Sequence, residues 1–274
     1  MNELSKPSPP HKTPKSSARR EYVQSVDRGF AVIKSFSGRS NALTITDVSE
    51  RTGLSRAAAR RFLLTLKELG YVSNEDGLFR LTPRVLHLGF TFLSTMRLPD
   101  VALAAMEEVV ATLHESCSIT VLDGLDIVYV ARVPAKRIMS ISLGVGAHLP
   151  AYPTSMGRVL LAGLDATGID RYLSEVILEP LTPRTITSKP QLRRILDEVR
   201  QQGWAIIDQE VEVGVRSAAA PIRDQSGRTT AAINVSTHAS RVSLRELRSR
   251  YLPVVRKAAD HISNLLGAPP KSSR

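Results

Sequence analysis

Several features that mark other protein classes are missing from this sequence. It contains one cysteine, Cys117, so no disulfide can form within the chain, which fits a reducing compartment. No run approaches the roughly 20 apolar residues that a membrane-spanning helix needs. The first 20 residues carry basic side chains but lack the apolar core of a secretory signal. We therefore expect a cytoplasmic protein.

Residues that would build a catalytic or metal centre are also missing. The six histidines lack the spacing of metal ligands: His11, His87, His114, His148, His238 and His261. The pair Gly144 and Gly146 lacks the third glycine of a dinucleotide-binding loop. Asp123 and Asp126 flank a glycine between predicted strands and are interpreted as turn residues. Cys117 is interpreted as a small buried residue rather than a nucleophile. We expect no catalytic residue, metal or cofactor.

The charge that is present is mostly positive. Lys and Arg number 37 against 26 Asp and Glu, a formal net charge of +11. Residues 1–96 carry 15 basic and 8 acidic side chains, whereas residues 97–274 carry 22 and 18, so the first third is several times more basic per residue. This excess favours a polyanionic partner, and nucleic acid is the first candidate.

The N-terminal segment predicts a tail followed by a helix. Residues 1–21 are rich in proline, serine and lysine, and they contain too few apolar side chains to offset the entropy of ordering them. We predict a disordered tail there and a second tail at 268–274. A first helix is predicted from apolar side chains at helical spacing: Val26, Phe30, Ile33 and Phe36.

Two further helices joined by a short turn are predicted next, which is a helix-turn-helix pattern. Thr46 is the predicted N-cap of the first, with Asp47 in its first turn, where a negative charge suits the helix dipole. Gly53 is the residue predicted to end it. Ser55 is predicted to cap the second helix, which runs to about Leu69.

The second of these helices has an apolar side and a basic side. The apolar side is predicted to contain Ala59, Phe62, Leu63, Leu66 and Leu69. Arg56, Arg60 and Lys67 lie away from it, with Arg61 at its edge. Small residues at 57 and 58 would let the helix approach a groove closely, so the pattern suits the DNA major groove. An ordinary amphipathic helix with a solvated basic face is the alternative.

A hairpin and a very apolar helix are predicted to follow. Residues 71–81 read as two strands joined by an Asp-Gly turn, which makes the winged variant of the motif and places Arg80 on the wing. Thr82 is the predicted cap and Pro83 the first residue of the next helix, which ends near Met96. Its apolar side chains cover most of its circumference, so a partner subunit or the second domain must bury it.

The remaining chain predicts an α+β domain. A long helix begins at Pro99, and a loop feeds a further helix near Pro153. Strands are predicted at 118–122, 127–133, 138–143 and between 204 and 236, the last set broken by a turn at Asp224–Gly227. Helices are predicted near 190–202 and at the end of the chain, where Pro253 should kink or split the helix. The predicted organisation is a winged helix-turn-helix at 22–82, a linker or dimerisation helix at 83–97 and a second domain at 98–267.

The order of these segments resembles the IclR family of bacterial regulators. The matching stretches in the first half are LTITDVSERTGLSRAAARRFLLTLKELGYV and FRLTPRVLHLG, and in the second half LPAYPTSMGRVLLA and GWAIIDQEVEVGVRSAAAPIRDQSG. The resemblance covers about residues 22–267. It is greatest to the branch that controls aromatic-acid breakdown through the β-ketoadipate pathway, the PcaR, PcaU and PobR regulators. The sequence departs from the family pattern at Ile207 and Ala218.

The resemblance implies a GAF-like α/β domain that binds an effector, and a dimer or dimer of dimers on a palindromic operator in double-stranded DNA. The implied effectors are protocatechuate, 4-hydroxybenzoate or β-ketoadipate, and many such regulators are activators, for which RNA polymerase is a partner. The DNA-binding candidates, in or beside the major groove and then at the backbone or minor groove, are Ser55, Arg56, Ala57, Arg60, Arg61, Gln24, Ser25, Thr44 and Arg80.

The resemblance also carries over an effector site. Its candidate residues are Ser155, Met156, Ser217, Asn234 and Ser236. Asn234 and Ser236 share a strand face, and satisfied polar groups of the core are their alternative interpretation. An acidic contact of some relatives falls on Ile207 and is expected to be absent. A carboxylate ligand favours an arginine partner, for which the sequence does not rank Arg132, Arg137, Arg158 and Arg216.

Three functions are therefore compared. The first is a ligand-responsive regulator that controls genes of aromatic catabolism, or an IclR-type repressor with a different small carboxylate effector. The second is an enzyme with a DNA-binding appendage, against which the missing catalytic motifs argue. The third is a ligand-binding module without a DNA role, against which the basic helix and hairpin argue.

Overall fold

The chain folds into two compact units. The computed structural model describes residues 21–37, 42–96, 98–135 and 144–269, and the units divide between Phe92 and Leu93, inside the segment predicted as a linker. The predicted tail up to residue 20, the predicted strand at 138–143 and Arg137 lie outside these ranges. No helix of the described ranges is long and apolar enough to cross a bilayer.

The first unit is a three-helix arrangement followed by a hairpin. Its elements are α1 (Gln24–Lys34), α2 (Ile45–Thr52), α3 (Arg56–Glu68), β1 (Val72–Glu75), β2 (Leu78–Leu81), a 3₁₀ turn (Pro83–Val85) and α4 (Leu86–Thr95), which extends past the division. β1 and β2 pair antiparallel, and Asp76 and Gly77 between them both have positive φ, 51° and 79°. Such φ values match the twist of a two-residue hairpin turn and favour Asp-Gly. The predicted wing is therefore present.

The start of α2 differs from the prediction. Thr44, not Thr46, is the N-cap: its Oγ1 accepts from the Asp47 N–H at 3.2 Å, and the Asp47 carboxylate accepts from the Thr44 N–H at 2.8 Å. Only Thr44 has an acidic residue three positions on, which is what this reciprocal capping requires. The bond from the Thr44 backbone lowers the pKa of the Asp47 carboxyl, and the bond from the Thr44 side chain adds to it.

Thr82 occupies the predicted N-cap position before Pro83, but its side chain has another role. Its side chain makes no capping bond to the following turn, although Pro83 does stand at the start of that turn. The Thr82 hydroxyl instead donates to the Gly70 carbonyl at 2.6 Å. Because Gly70 follows α3, this bond ties the end of the hairpin back to the end of that helix.

The second unit is built on one six-stranded antiparallel sheet. Its elements are α5 (Leu98–Leu113), β3 (Cys117–Asp123), β4 (Asp126–Val133), β5 (His148–Pro150), α6 (Ser155–Ala162), α7 (Ala166–Glu175), α8 (Lys189–Gln202), β6 (Ala205–Asp208), β7 (Val215–Arg223), β8 (Thr229–His238), α9 (Leu244–Glu246) and α10 (Leu252–Leu265). The strand order is β5-β4-β3-β8-β7-β6. β5 and α7 are not predicted by the sequence patterns. The predicted break at Pro253 is confirmed, since a π turn at Leu247–Tyr251 separates α9 from α10.

Helices cover both faces of this sheet. α5 and α10 pack on one face with Ile119, Ala218 and Ile233, while α6, α7 and α8 pack on the other with Ala219 and Ala232. Successive residues of a strand point to opposite faces. The pairing register therefore decides which strand side chains lie beneath α6.

α6 is held closely against the turn that precedes it. Every residue from Ser155 to Ala162 is buried, and Thr154 caps the helix by accepting from the Gly157 N–H at 2.9 Å. A Cβ added at Gly157 would lie 2.0 Å from the Ala151 carbonyl oxygen. Because that oxygen belongs to the backbone, it cannot swing aside, and only glycine fits this position.

We predict that Gly157→Ala destabilises the protein by at least about 2 kcal/mol through overpacking. Gly29→Ala is the matched control, because Gly29 also lies in a helix but no atom is within 4 Å of an added Cβ; it should be neutral or stabilise by up to about 1 kcal/mol. Thermal unfolding followed by circular dichroism measures both. Equal melting temperatures for the two variants would contradict the close approach at Gly157.

Candidate functional site

α3 separates a buried face from a basic face. Ala59, Leu63 and Leu66 are buried in the core of the first unit, and Phe62 is partly buried beside them. The prediction that Leu69 belongs to this face is wrong. Leu69 is the C-cap residue of the helix and is 53% exposed. Ser55 begins the helix as predicted, its Oγ accepting from the Ala58 N–H at 3.2 Å.

The other side of α3 is exposed to solvent. We call Ser55, Arg56, Ala57, Arg60 and Arg61 the α3 surface; all five are exposed. Within the part of the chain that the structure describes, none of the three guanidinium groups has a hydrogen bond or an ion pair. Arg51 and Arg84 of the same unit instead donate to backbone carbonyls, those of Ser35 and Leu69. The α3 arginines therefore remain available to a ligand.

The other DNA-binding candidates differ in what they can offer. Gln24 and Ser25 are exposed in the first turn of α1, and Arg80 is exposed on β2 opposite Ser73. Thr44 is half-buried and donates both its N–H and its hydroxyl to Asp47. Capping therefore leaves Thr44 no donor for a phosphate.

The first unit also leaves large apolar side chains exposed. On α1 these include Val26 and Phe30, about half exposed, although their spacing correctly predicts the helix. On α4 they include Leu86, at 73%, and Phe90, at 66%. Several such side chains on two helices of one unit form more than the scattered apolar surface of an ordinary monomer.

In the second unit the sheet register gathers polar side chains beneath α6. We call the following residues the polar patch: Ser118, Thr120, Arg132, Ser155, Ser217, Asn234 and Ser236. Ser118 pairs with Arg132 on one side and with Asn234 on the other, which makes one row across three strands. Ser217 pairs with Ser236 in the neighbouring row. The register thus joins residues that lie up to 118 positions apart in the chain.

The polar patch is hydrogen-bonded within itself. Ser217 Oγ donates to Ser155 Oγ at 2.8 Å, and Asn234 Nδ2 donates to Ser236 Oγ at 3.1 Å. These contacts bring together four of the five predicted effector residues. The fifth, Met156, is buried next to Ser155 at the start of α6. Ile207 is paired with Ser217 and buried, so it presents an apolar side chain there.

Two residues of the polar patch are not among the predicted candidates, Ser118 and Thr120. Both lie on β3 and are buried, and alternation puts them on the α6 side while Ile119 packs on the other face. The alternating pattern of residues 118–122 indicates that Ser118 and Thr120 share one face of the strand. Only the pairing with β4 and β8 shows that this face adjoins Arg132 and Asn234.

The structure ranks the candidate arginines. Arg158 is buried and donates to Glu210 at 2.6 Å and to the Tyr152 carbonyl at 3.0 Å. Arg216 donates to Asp208 at 2.5 Å and to the carbonyls of Ala239 and Val242. Both guanidinium groups are therefore committed to the protein.

Arg132 is different. It is half-buried, and its one hydrogen bond within the described ranges is from Nη1 to Ser118 Oγ at 3.2 Å. Since a guanidinium carries five N–H donors, most of its capacity is unused. Burial raises the pKa of Tyr129 to about 12, even though the positive charge of Arg132 acts in the opposite direction. Among the described residues, the Arg132 guanidinium has no carboxylate partner.

Arg184 and Arg216 both pair with the carboxylate of Asp208. Burial opposes its ionisation, but hydrogen bonds from Arg216 and Gln209, with the charges of Arg216 and Arg184, outweigh burial and hold the pKa of the carboxyl below its ordinary value. This carboxylate anchors the end of β6 to the start of β7.

Cys117 fits the prediction of a buried residue. It is fully buried at the start of β3, and burial raises the pKa of its thiol to about 12 against the opposing charge of Arg132. A thiol with this pKa is not a nucleophile near neutral pH. Across the described ranges, no three His, Cys, Asp or Glu side chains are grouped as a metal site would require.

A surface groove of about 740 Å³ lies elsewhere in the second unit. Its walls are α8, β6 and residues 244–249, and Arg158 with Glu210 lines one end. Arg248 lies over the Trp204 ring there, 5.5 Å from its centroid. No residue of the polar patch lines this groove, so size alone does not identify the predicted effector site.

The chain matches two family models, "IclR helix-turn-helix domain" over residues 25–76 and "Bacterial transcriptional regulator IclR C-terminal" over residues 90–264. It is 42% identical to the Pca regulon regulatory protein of Pseudomonas putida, over 90% of this chain and 85% of that protein.

Solved structures are similar over the same length. A transcriptional regulator from Rhodococcus sp. RHA1 is 51% identical with a TM-score of 0.80, covering 89% of this chain and 98% of that one. An IclR homologue from Microbacterium hydrocarbonoxydans, solved with 4-hydroxybenzoate, is 26% identical with a TM-score of 0.77, covering 88% and 98%.

We predict that the buried pair of Arg158 and Glu210 holds α6 in place. Their side chains are 5% and 10% exposed, so Arg158→Met or Glu210→Gln leaves one buried group without its partner and should cost about 3–5 kcal/mol. The double variant should lose less than the sum of the two. Urea unfolding followed by Trp204 fluorescence measures the effect.

The matched control is Arg193→Met, which removes an arginine from the exposed pair with Asp170. That pair is solvated, and its loss should cost less than about 1 kcal/mol. Similar losses for the exposed and the buried pair would contradict the proposed role of burial.

Proposed function

Because the chain belongs to the IclR family of bacterial transcriptional regulators, we propose that its α3 surface reads an operator and its polar patch binds a small organic acid. The family consists of regulators, so the prediction of a regulator rather than an enzyme is confirmed. The observation that carries the DNA-binding part is the set of exposed, unpaired arginines on α3.

The packing of α3 against the core of the first unit favours recognition of DNA. Its buried face is locked into the core, so the helix is a rigid element, and Ala57 lets its N-terminal turn approach base edges closely. Arg56 and Arg60 are one turn apart on this surface, and each can bond the major-groove edge of a guanine through two N–H groups. Arg61, Arg80, Gln24 and Ser25 are proposed to contact the backbone or the minor groove.

We propose a homodimer, alone or as a dimer of dimers. The exposed apolar side chains of α1 and α4 need a cover, and a second copy of this chain supplies an identical apolar surface. A two-fold dimer presents two α3 surfaces, which corresponds to a palindromic operator.

The proposed effector is a small aromatic or dicarboxylic acid, of the class of protocatechuate, 4-hydroxybenzoate or β-ketoadipate. Arg132 has unused donors in the same row as Ser118 and Asn234, and a carboxylate pairs well with such a group. A relative governs the Pca regulon, and a similar structure was solved with 4-hydroxybenzoate. Control of genes for aromatic catabolism follows from this class of effector. Another small carboxylate is the alternative.

We propose that the effector acts by shifting an equilibrium between two arrangements of the dimer. It must bind one arrangement more tightly than the other, since only this difference can change operator affinity. α4 extends across the division between the units and is therefore the proposed lever.

We predict that Arg56→Ala and Arg60→Ala each weaken operator binding by roughly 1–3 kcal/mol, the value of a good two-bond contact to guanine. Binding to DNA of unrelated sequence should change much less. Fluorescence anisotropy at fixed salt, with DNA from upstream of the gene and a scrambled duplex, measures both. Arg256→Ala, which removes an exposed arginine of α10, is the control. Unchanged operator affinity in both α3 variants would overturn the assignment.

We predict that Arg132→Gln abolishes effector binding and spares operator binding. The wild-type protein should gain about 2.7 kcal/mol of apparent stability at an effector concentration one hundred times the dissociation constant, and the variant should gain almost none. A thermal-shift series with 4-hydroxybenzoate, protocatechuate and β-ketoadipate tests this. Arg228→Gln, at an exposed turn, is the control. A full shift in Arg132→Gln would show that another cation holds the carboxylate.

A further inference from the structure

One side chain of the polar patch is buried without a hydrogen bond. Thr120 is fully buried, and its Oγ1 has no partner among the described residues; the other such group, the Tyr172 hydroxyl, belongs to α7. Nearly all buried polar groups in native proteins are satisfied, because each orphan group loses its bonds to water without replacement. A hydroxyl buried in this way is available to a polar group of a bound ligand.

The position of Thr120 is defined by the sheet. It is paired with Tyr129 on β4 and with Ala232 on β8, one row beyond the row of Arg132, Ser118 and Asn234. Two residues of a strand span about 6.6 Å, which is roughly the length of one aromatic ring with its two para substituents. The Thr120 row and the Arg132 row are therefore spaced to meet opposite ends of such a ring.

The surroundings of the two rows differ in polarity. The strand partners of Thr120, Tyr129 and Ala232, both belong to the hydrophobic cluster beneath α6. The serines and Asn234 of the polar patch bond to one another or to Arg132 and lie in the other rows. Thr120 thus offers a hydroxyl, able to donate and to accept, in a row that otherwise holds Tyr129 and Ala232.

We propose that Thr120 is a specificity residue that recognises a hydroxyl on the aromatic ring of the effector, at the end opposite the carboxylate. This rests on the proposed effector site. A site built around a buried hydroxyl discriminates against a ligand that lacks the matching group, because that ligand leaves the hydroxyl unpaired. Thr120 therefore makes the site bind 4-hydroxybenzoate more tightly than benzoate, whereas Arg132 binds the carboxylate of either acid.

The test compares the two acids on three variants by isothermal titration. The wild-type protein should bind 4-hydroxybenzoate about tenfold or more tightly than benzoate. Thr120→Val keeps the shape and removes the hydroxyl, so the ratio should fall to near one, with benzoate bound at least as well as before. Thr120→Ser should retain most of the preference. Thr112→Val, the same change at an exposed position of α5, should leave the ratio unchanged.

The outcomes separate this inference from the proposed function. An unchanged ratio in Thr120→Val, with both acids still bound, overturns the role of Thr120 and leaves the effector site standing. Failure of the wild-type protein to bind either acid overturns the role of Thr120, and failure to bind β-ketoadipate as well overturns the proposed effector site. Because Thr120→Val also removes an unpaired buried hydroxyl, the free variant should melt at or above the wild-type temperature, and a lower melting temperature would mean that Thr120 already has a partner in the free protein.

Discussion

The site in the second unit depends on the pairing register of β3 with its two neighbours. Ser118 is placed opposite Arg132 and Asn234, so three strands contribute to one row of polar groups beneath α6. A slip of one residue would turn the polar side of β3 toward α5 and α10, and Cys117 and Ile119 toward α6. The apolar packing that holds Ile119 and Ile233 on the opposite face is thus what keeps the polar patch assembled.

α6 completes that site, and its position has a separate origin. The helix approaches the turn before it so closely that position 157 admits only glycine, and the buried pair of Arg158 and Glu210 ties it to the loop before β7. Ser155 can then accept from Ser217 across the sheet. In the proposed site the ion pair does not contact the effector but positions Ser155 at the start of α6.

In the first unit, one face of α3 packs in the core and the opposite face is exposed. α3 buries Ala59, Leu63 and Leu66, and its three exposed arginine side chains have no partner among the residues that the structure describes. A charge that pairs with nothing contributes little to folding, so its value lies in what it can bind. The arginines that do support the fold, Arg51 and Arg84, are turned to backbone carbonyls instead.

Sequence patterns determined the local elements and the chemistry of each surface. The spacing of apolar residues in α3, the Asp-Gly turn of the wing and Pro253 act within a few residues, so they can be recognised without a structure. Errors arose where two residues could play the same local part. The sequence pattern predicts Thr46 as the cap, whereas the structure uses Thr44, which has Asp47 three positions on.

Only the tertiary structure decided which distant groups meet. The sequence offers four arginines for a carboxylate, and the carboxylates that pair with Arg158 and Arg216 lie 52 and 8 positions away, which no local pattern reveals. Likewise, Ser118 and Thr120 gain their meaning from strands 9 to 116 residues distant. Hydrophobic spacing and turn preferences are properties of residues close together in the sequence. Pairing register and burial of charge exist only in the folded chain, and they are what assemble the proposed effector site.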